Sequence, residues 1–165
     1  SAAVEAADQL YAMTGGKFDQ IIACAGGGGL TSGCALAIPD AEIVAVEPEG
    51  WDDLGQSLRL GHIVPVANDA PPTLCDALQT KQISPITFAI LSARNAAGIS
   101  VSEDDVKAAM RHAYAKLRLV VEPGGAVALA AILSGKVKLG KTPLVTLSGG
   151  NVDPQKYAAI IGGAA

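Results

Sequence analysis

Apolar residues recur along this chain with two alternating spacings. In residues 2–13, Val4, Ala7, Leu10 and Tyr11 fall on one stripe of a helix, which Thr14-Gly15-Gly16 ends. Residues 20–25 (Gln-Ile-Ile-Ala-Cys-Ala) are a short apolar run, the mark of a buried strand, and lead into Gly26-Gly27-Gly28-Gly29. Residues 30–38 predict a helix stopped by Pro39-Asp40, and residues 42–47 (Glu-Ile-Val-Ala-Val-Glu) a second strand. Pro48, Pro65, Pro71 and Pro72 break any long element, so residues 48–83 read as an irregular excursion around a helix near residues 54–60. Residues 84–97 predict a helix led by Pro85, followed by a short strand at residues 98–101. Ser102 caps a helix that runs to about Leu119, with Glu103, Asp104 and Asp105 suited to its dipole and Val106, Ala109, Met110, Ala113 and Leu117 as core stripe. Glu122-Pro123-Gly124-Gly125 reads as a turn, residues 126–134 as a helix, residues 144–147 as a buried strand and residues 154–161 as a last helix.

Strands alternating with helices imply an α/β fold: a mostly parallel sheet with helices on both faces, whose ligands bind at the carboxyl ends of the strands. The chain's 165 residues suit one domain, in a size range where folding buries roughly two thirds of the surface, and 50% hydrophobic residues supply the core. Only 17% of residues are charged and the net charge is −4 without a basic block, which argues against a nucleic-acid or anionic-membrane partner. The longest apolar stretch, residues 126–133, is far short of the ~20 a membrane helix needs, and the N-terminus has no signal-peptide pattern. Cys24, Cys34 and Cys75 form no C-x-x-C pair, which suits three reduced, buried thiols in a cytoplasmic protein.

The clustered glycines are the first candidate chemistry. Gly26 to Gly29 between a strand and a helix leave backbone N–H groups bare and aimed, with the helix N-terminus, at one point, which suits a phosphate. No G-x-x-x-x-G-K-[ST] pattern follows, so a P-loop is excluded; the strict G-x-G-x-x-G register also fails. A looser dinucleotide site stays open, because Glu47 ends the next strand about 20 residues after Gly27, where a ribose-binding acid would lie. Glu47, Glu49, Asp52 and Asp53 crowd one turn-prone loop; a subset could converge on a hard cation, although a solvated acidic loop is the plainer expectation. Ser148-Gly149-Gly150-Asn151 places a hydroxyl at a strand end beside glycines that permit close approach of a flat ligand, or is an ordinary turn; Glu122 carries the same ambiguity. His112 reads as a helix-surface residue, His62 as a loop residue and Trp51 as a packing anchor, and no Ser/His/Asp or Cys/His constellation is present.

Taken in order, Gly26-Gly27-Gly28-Gly29-Leu30, Val46-Glu47-Pro48-Glu49, Pro71-Pro72-Thr73-Leu74-Cys75-Asp76-Ala77, Glu122-Pro123-Gly124-Gly125-Ala126 and Ser148-Gly149-Gly150-Asn151-Val152-Asp153 resemble the threonine/serine dehydratase and serine racemase family. These are pyridoxal-phosphate enzymes of the tryptophan-synthase-β fold type, and the resemblance disfavours the dinucleotide reading. It implies that Gly26, Gly27, Gly28, Gly29 and the Leu30 amide hold the cofactor phosphate and that Ser148 faces the pyridine nitrogen. A neutral hydroxyl there leaves the ring a weaker electron sink than a carboxylate would, favouring elimination or racemisation over transamination. The resemblance further implies that Glu47, Asp53 and the Trp51 carbonyl hold Mg²⁺ or a similar cation (Mn²⁺, Ca²⁺). The implied reaction is dehydration and deamination of a 3-hydroxy amino acid such as L-threonine or L-serine to a 2-oxo acid and ammonia. A serine or aspartate racemase, or a non-catalytic cofactor-binding remnant, is the alternative.

Two departures bear on the substrate pocket: Cys75-Asp76-Ala77 stands where relatives commonly have Ala-Asp-Gly, and Glu122-Pro123-Gly124-Gly125 where many have Glu-Pro-Ser-Gly. The largest departure concerns the family's Schiff-base lysine, carried in a Ser-Phe-Lys-x-Arg-type segment ahead of a small substrate-gripping domain. Lys17, Lys81, Lys107, Lys116, Lys136, Lys138, Lys141 and Lys156 lie in none of the motif contexts. Residues 1–165 are therefore expected to be the C-terminal portion of the large, cofactor-binding domain, with Ser1 as a cut end, no catalytic residue in this chain, and the N-terminal portion of the same enzyme as partner. A homo-oligomer is also expected.

Overall fold

A computed structural model describes residues 1–163. Four parallel strands, β1 (Gln20–Cys24), β2 (Glu42–Pro48), β3 (Ala97–Val101) and β4 (Pro143–Val145), stand in the order β3-β2-β1-β4. Ile22 pairs with Val44 on one side and Val145 on the other, and Val46 with Ile99. Seven α-helices connect and cover them: α1 (Ala2–Thr14), α2 (Gly29–Ala37), α3 (Asp53–Leu60), α4 (Pro85–Ala93), α5 (Glu103–His112), α6 (Pro123–Leu133) and α7 (Pro154–Ile161).

Strand alternation divides the core in two. Ile21, Ala23, Ile43 and Ala45 point to the layer of α1 to α4, where they meet Ala3, Cys34, Leu54 and Leu91. Ile22, Cys24, Val44 and Val46 point to the layer of α5 to α7, packing on Val106, Met110, Ala126 to Ala128 and Ile160. Burial on both faces explains why β1 and β2 read as unbroken apolar runs. All three cysteines are free and buried. Among the described residues no helix is long and apolar enough to cross a membrane.

Several sequence expectations are corrected. Val4 and Tyr11 face solvent at 45% and 66% exposure; the buried face of α1 runs through Ala3, because this helix packs with small residues against α2. α4 ends at Ala93 rather than Ala97, since Asn95 takes φ 48 and Ala97 already pairs in β3. Val106, Ala109, Met110 and Ala113 are fully buried as expected, but Leu117 is exposed. A π-helical stretch, Ala113–Leu117, widens the turn there and rotates the stripe off the core before Arg118 (φ 61) ends it. Pro123-Gly124-Gly125 forms the first turn of α6 rather than a separate turn, with Glu122 at the N-cap and Pro123 at its preferred position.

β3 and α3 meet backbone to backbone: a Cβ on Gly98 would overlap the Cα of Gly55. Gly98→Ala is therefore expected to destabilise the fold by about 1–3 kcal/mol through overpacking. Gly33→Ala, on exposed α2 surface with open space around it, should be neutral or stabilising by up to about 1 kcal/mol. Urea unfolding midpoints of the two variants check the contrast, and an equal response would contradict it.

Candidate cofactor site and acid pocket

Chain topology opens a crevice between β1 and β4. The chain leaves β1 into α2 on one face of the sheet and leaves β4 toward α7 on the other, so the connections part at the carboxyl ends of two neighbouring strands. Such switch points are where parallel sheets bind ligands.

The glycine turn fills the β1 side. Gly28 is the N-cap of α2 with φ 78 and ψ 4, and having no side chain it caps none of the first-turn amides. Those N–H groups, with the helix dipole behind them, are free for an anion. Below them the turn is tied down: Thr31 Oγ1 donates to the Cys24 carbonyl at 2.9 Å, and Ser32 N–H to that of Gly28 at 2.9 Å. Gly26 packs closely on a 3₁₀ turn at Asp76–Leu78: a Cβ there would lie 3.2 Å from the Cα of Leu78. Leu78 also touches the Cβ position of Gly124 at 3.2 Å, bringing the segment after Cys75 against both glycine turns. Glu103 anchors that segment from α5, accepting bonds from Thr73 Oγ1 at 2.5 Å and Leu74 N–H at 3.2 Å. Burial pushes the Cys75 thiol up to about 12, so it is an inert packing group and not a nucleophile.

On the β4 side, the Ser148 turn interlocks with the start of α6. A Cβ on Gly125 would overlap the Ser148 carbonyl oxygen, and one on Gly149 (φ 71) would overlap the Glu122 carboxyl group. Glu122 N–H donates to the Gly149 carbonyl at 3.0 Å. The Ser148 hydroxyl is left exposed, 4.0 Å from Cys24 Sγ. The contact with Cys24, the last residue of β1, places Ser148 at the same carboxyl end of the sheet as the Gly26–Gly29 turn.

The acidic loop is not the solvated one that its composition suggests. Glu47 and Asp53 are 0% and 1% exposed, while Glu49 points outward to Lys136 at 3.1 Å. Glu47 is buried because it caps α3, accepting Leu54 N–H at 3.0 Å and Gly55 N–H at 2.8 Å. Asp53 Oδ2 accepts Ile83 N–H at 2.7 Å, and its Oδ1 is buried with no partner. Burial, only partly offset by these amides, raises Glu47 to about 8 and Asp53 to about 6. The folded chain thus holds these protons more tightly than the unfolded one. The associated stability is fully present below the ordinary carboxylate range, declines as pH rises, and is lost once pH passes about 6 and then about 8.

An orphaned, buried carboxylate oxygen beside a second carboxylate suits a hard divalent cation. Among the described residues no three His, Cys, Asp or Glu side chains converge, so such an ion would complete its shell with backbone or water oxygens. Trp51, whose carbonyl was expected to contribute, is buried as the anchor foreseen, its Nε1 donating to Pro71 at 2.8 Å under Lys81. Lys136 is committed to Glu49 and Asp105, and Lys107 to Asp104. The residues missed in the sequence are Leu78, Ile83 and Thr87, all in or just after the irregular excursion. Only the Ser84-Pro85 cap pair, which sets where α4 starts, could have pointed to Thr87.

The sequence pattern of the family described as "Pyridoxal-phosphate dependent enzyme" matches residues 1–149. The chain is 37% identical over 158 residues to a serine racemase of Schizosaccharomyces pombe, covering 93% of this chain and 48% of that protein. It is 38% identical over 153 residues to an L-threo-3-hydroxyaspartate ammonia-lyase of Saccharomyces cerevisiae, covering 90% and 46%. Among solved structures, a threonine deaminase of T.th. superposes with a TM-score of 0.85 at 36% identity, covering 92% of this chain and 56% of that one. Maize serine racemase superposes with a TM-score of 0.80 at 32% identity, covering 93% and 49%. The chain thus spans about half the length of the curated relatives it matches. With an uncapped glycine turn and an exposed serine at the carboxyl ends of neighbouring parallel strands, and with that pattern running through residues 1–149, the chain belongs to the family of pyridoxal-phosphate dependent enzymes.

Proposed function

We propose that residues 1–165 form the C-terminal portion of the large, cofactor-binding domain of an enzyme that dehydrates and deaminates a 3-hydroxy amino acid, such as L-threonine or L-serine, to a 2-oxo acid and ammonia. The carrying observation is that the uncapped Gly26–Leu30 turn and the exposed Ser148, whose Oγ lies 4.0 Å from Cys24 Sγ, stand at the carboxyl ends of the neighbouring strands β1 and β4. Pyridoxal phosphate, when bound, supplies the electron sink that lets the substrate's α-proton leave. The amides of Gly26 to Leu30 would hold its phosphate, and Ser148 would meet the ring nitrogen as a neutral partner, a choice that disfavours transamination. Glu47, Asp53 and the Trp51 carbonyl would hold Mg²⁺ or a similar cation; the orphaned Oδ1 of Asp53 supports this. Relatives named both as ammonia-lyases and as serine racemases keep racemisation as the second reading.

The reacting lysine would come from the remaining portion of the enzyme, whether on a longer form of this chain or on a separate one. The open edge of β4 supports this. Its residues are only half-buried although a parallel sheet is normally covered on both faces, and the groove beside it is apolar, lined by Ala2, Ala3, Leu30, Leu144 and Leu147.

Produced alone, the chain is expected to stay colourless with pyridoxal phosphate and to release no oxo acid. Produced with the remaining portion, it should absorb in the visible and release oxo acid from L-serine, L-threonine or 3-hydroxyaspartate; chiral analysis of leftover substrate separates the racemase reading. Activity of the chain alone, or none from the complete assembly, would contradict the proposal. Mg²⁺ at about 100 times its Kd should raise the melting temperature by about 5–10 °C. Asp53→Asn should abolish that rise, and a rise of equal size in the variant would remove Asp53 from the cation site.

A further inference from the structure

We infer that Thr87 is a positioning residue for the anion turn: by anchoring the Gly27 carbonyl it aims the Gly28 amide into the crevice. The inference rests on the reading of that turn as a phosphate cup, and neither the motifs nor the family resemblance marks Thr87.

A peptide unit is planar and trans, so the Gly27 carbonyl and the Gly28 N–H point in opposite directions. Glycine on both sides of that unit leaves little steric resistance to its flipping, which would turn a carbonyl, repulsive to an anion, toward the crevice. The Gly28 carbonyl is secured by the Ser32 N–H of its own helix, whereas the bond to the Gly27 carbonyl comes from across the layer, from Thr87 Oγ1 at 2.9 Å. The hydroxyl also lies 3.0 Å from the Ser84 carbonyl and 3.2 Å from Ser84 Oγ, both within its own helix start; the Gly27 carbonyl is the shortest of the three contacts and the one that reaches the turn.

Thr87 is itself held in place. It occupies the first turn of α4, where Ser84 Oγ accepts its N–H at 3.4 Å and Pro85 sets the helix start. The preceding Ile83 is pinned through its N–H to Asp53 at 2.7 Å. Ile83 Cδ1 and Thr87 Cβ each lie 3.1 Å from where a Cβ on Gly28 would stand, so the start of α4 presses on the turn it orients. The acid pocket and the glycine turn are therefore joined through α4's start: Asp53 holds Ile83, Ile83 and Thr87 both press on Gly28, and Thr87 holds Gly27.

The test compares wild type, Thr87→Ser and Thr87→Val in the complete enzyme, reading amide hydrogen exchange across residues 24–32 together with affinity for pyridoxal phosphate and for pyridoxal, which lacks the phosphate. Thr87→Val should speed exchange in the turn while β1 and α4 keep their protection. It should weaken pyridoxal phosphate binding about three- to tenfold, the worth of one hydrogen bond, and leave pyridoxal unaffected. Thr87→Ser should behave as wild type; Thr87→Ala repeats the test if valine crowds Gly28. Wild-type exchange and affinity in Thr87→Val would overturn the inference. Faster exchange in the turn with equal loss for both ligands, or with no binding by wild type, would uphold the positioning role and instead defeat the phosphate-cup reading.

Discussion

The carboxyl end of the sheet is built on backbone approaching backbone without side chains between. Gly125 lies so close to the Ser148 carbonyl that a methyl group could not fit, and the Cβ position of Gly26 is 3.2 Å from the Leu78 Cα; Gly149, by contrast, leaves room for the Glu122 side chain. These contacts pack the turn after β4 on the start of α6 and the turn after β1 on Leu78, at the end of the sheet where an uncapped helix N-terminus and a serine hydroxyl both stand. Part of the glycine content follows from this need, at Gly125 and Gly149, where a Cβ would overlap a neighbour.

The acid pocket is the second place where local structure and chemistry share the same atoms. Glu47 serves as the N-terminal cap of α3 because Asp52, at the cap position, makes no side-chain bond there. Asp53 fixes Ile83 with one oxygen and keeps the other unpaired. Burying two carboxylates costs stability at neutral pH, which a cation would relieve. Because the Asp53 bond also sets the start of α4, the pocket and the anion turn belong to one packed unit.

Much of this was legible in the sequence because it depends on period and glycine placement. The apolar runs gave all four strands to within a few residues, and the five ordered motifs pointed to the family that the sequence match bears out. What escaped was set by tertiary contact. No local pattern distinguishes Glu47, buried as a helix cap, from Glu49, four residues before Asp53 and exposed to Lys136. Leu117 fits the helical stripe by spacing and leaves it only because the backbone widens into a π turn. The segment from Thr73 to Ile83 has no periodicity to read, yet it covers both glycine turns, since its course is fixed by Glu103, Asp53 and the gaps at Gly26 and Gly124.

The proposed cofactor chemistry depends first on the Gly26–Leu30 turn. Phosphorus-31 resonance of pyridoxal phosphate bound to the complete enzyme, followed from about pH 5 to about pH 8, tests it most directly, because a free phosphate monoester loses its second proton near a pKa of about 6. Held by the amides of Gly26 to Leu30, the phosphate should remain a dianion throughout, and its resonance should not move. A resonance that titrates like the free monoester would place the phosphate in water and contradict the account.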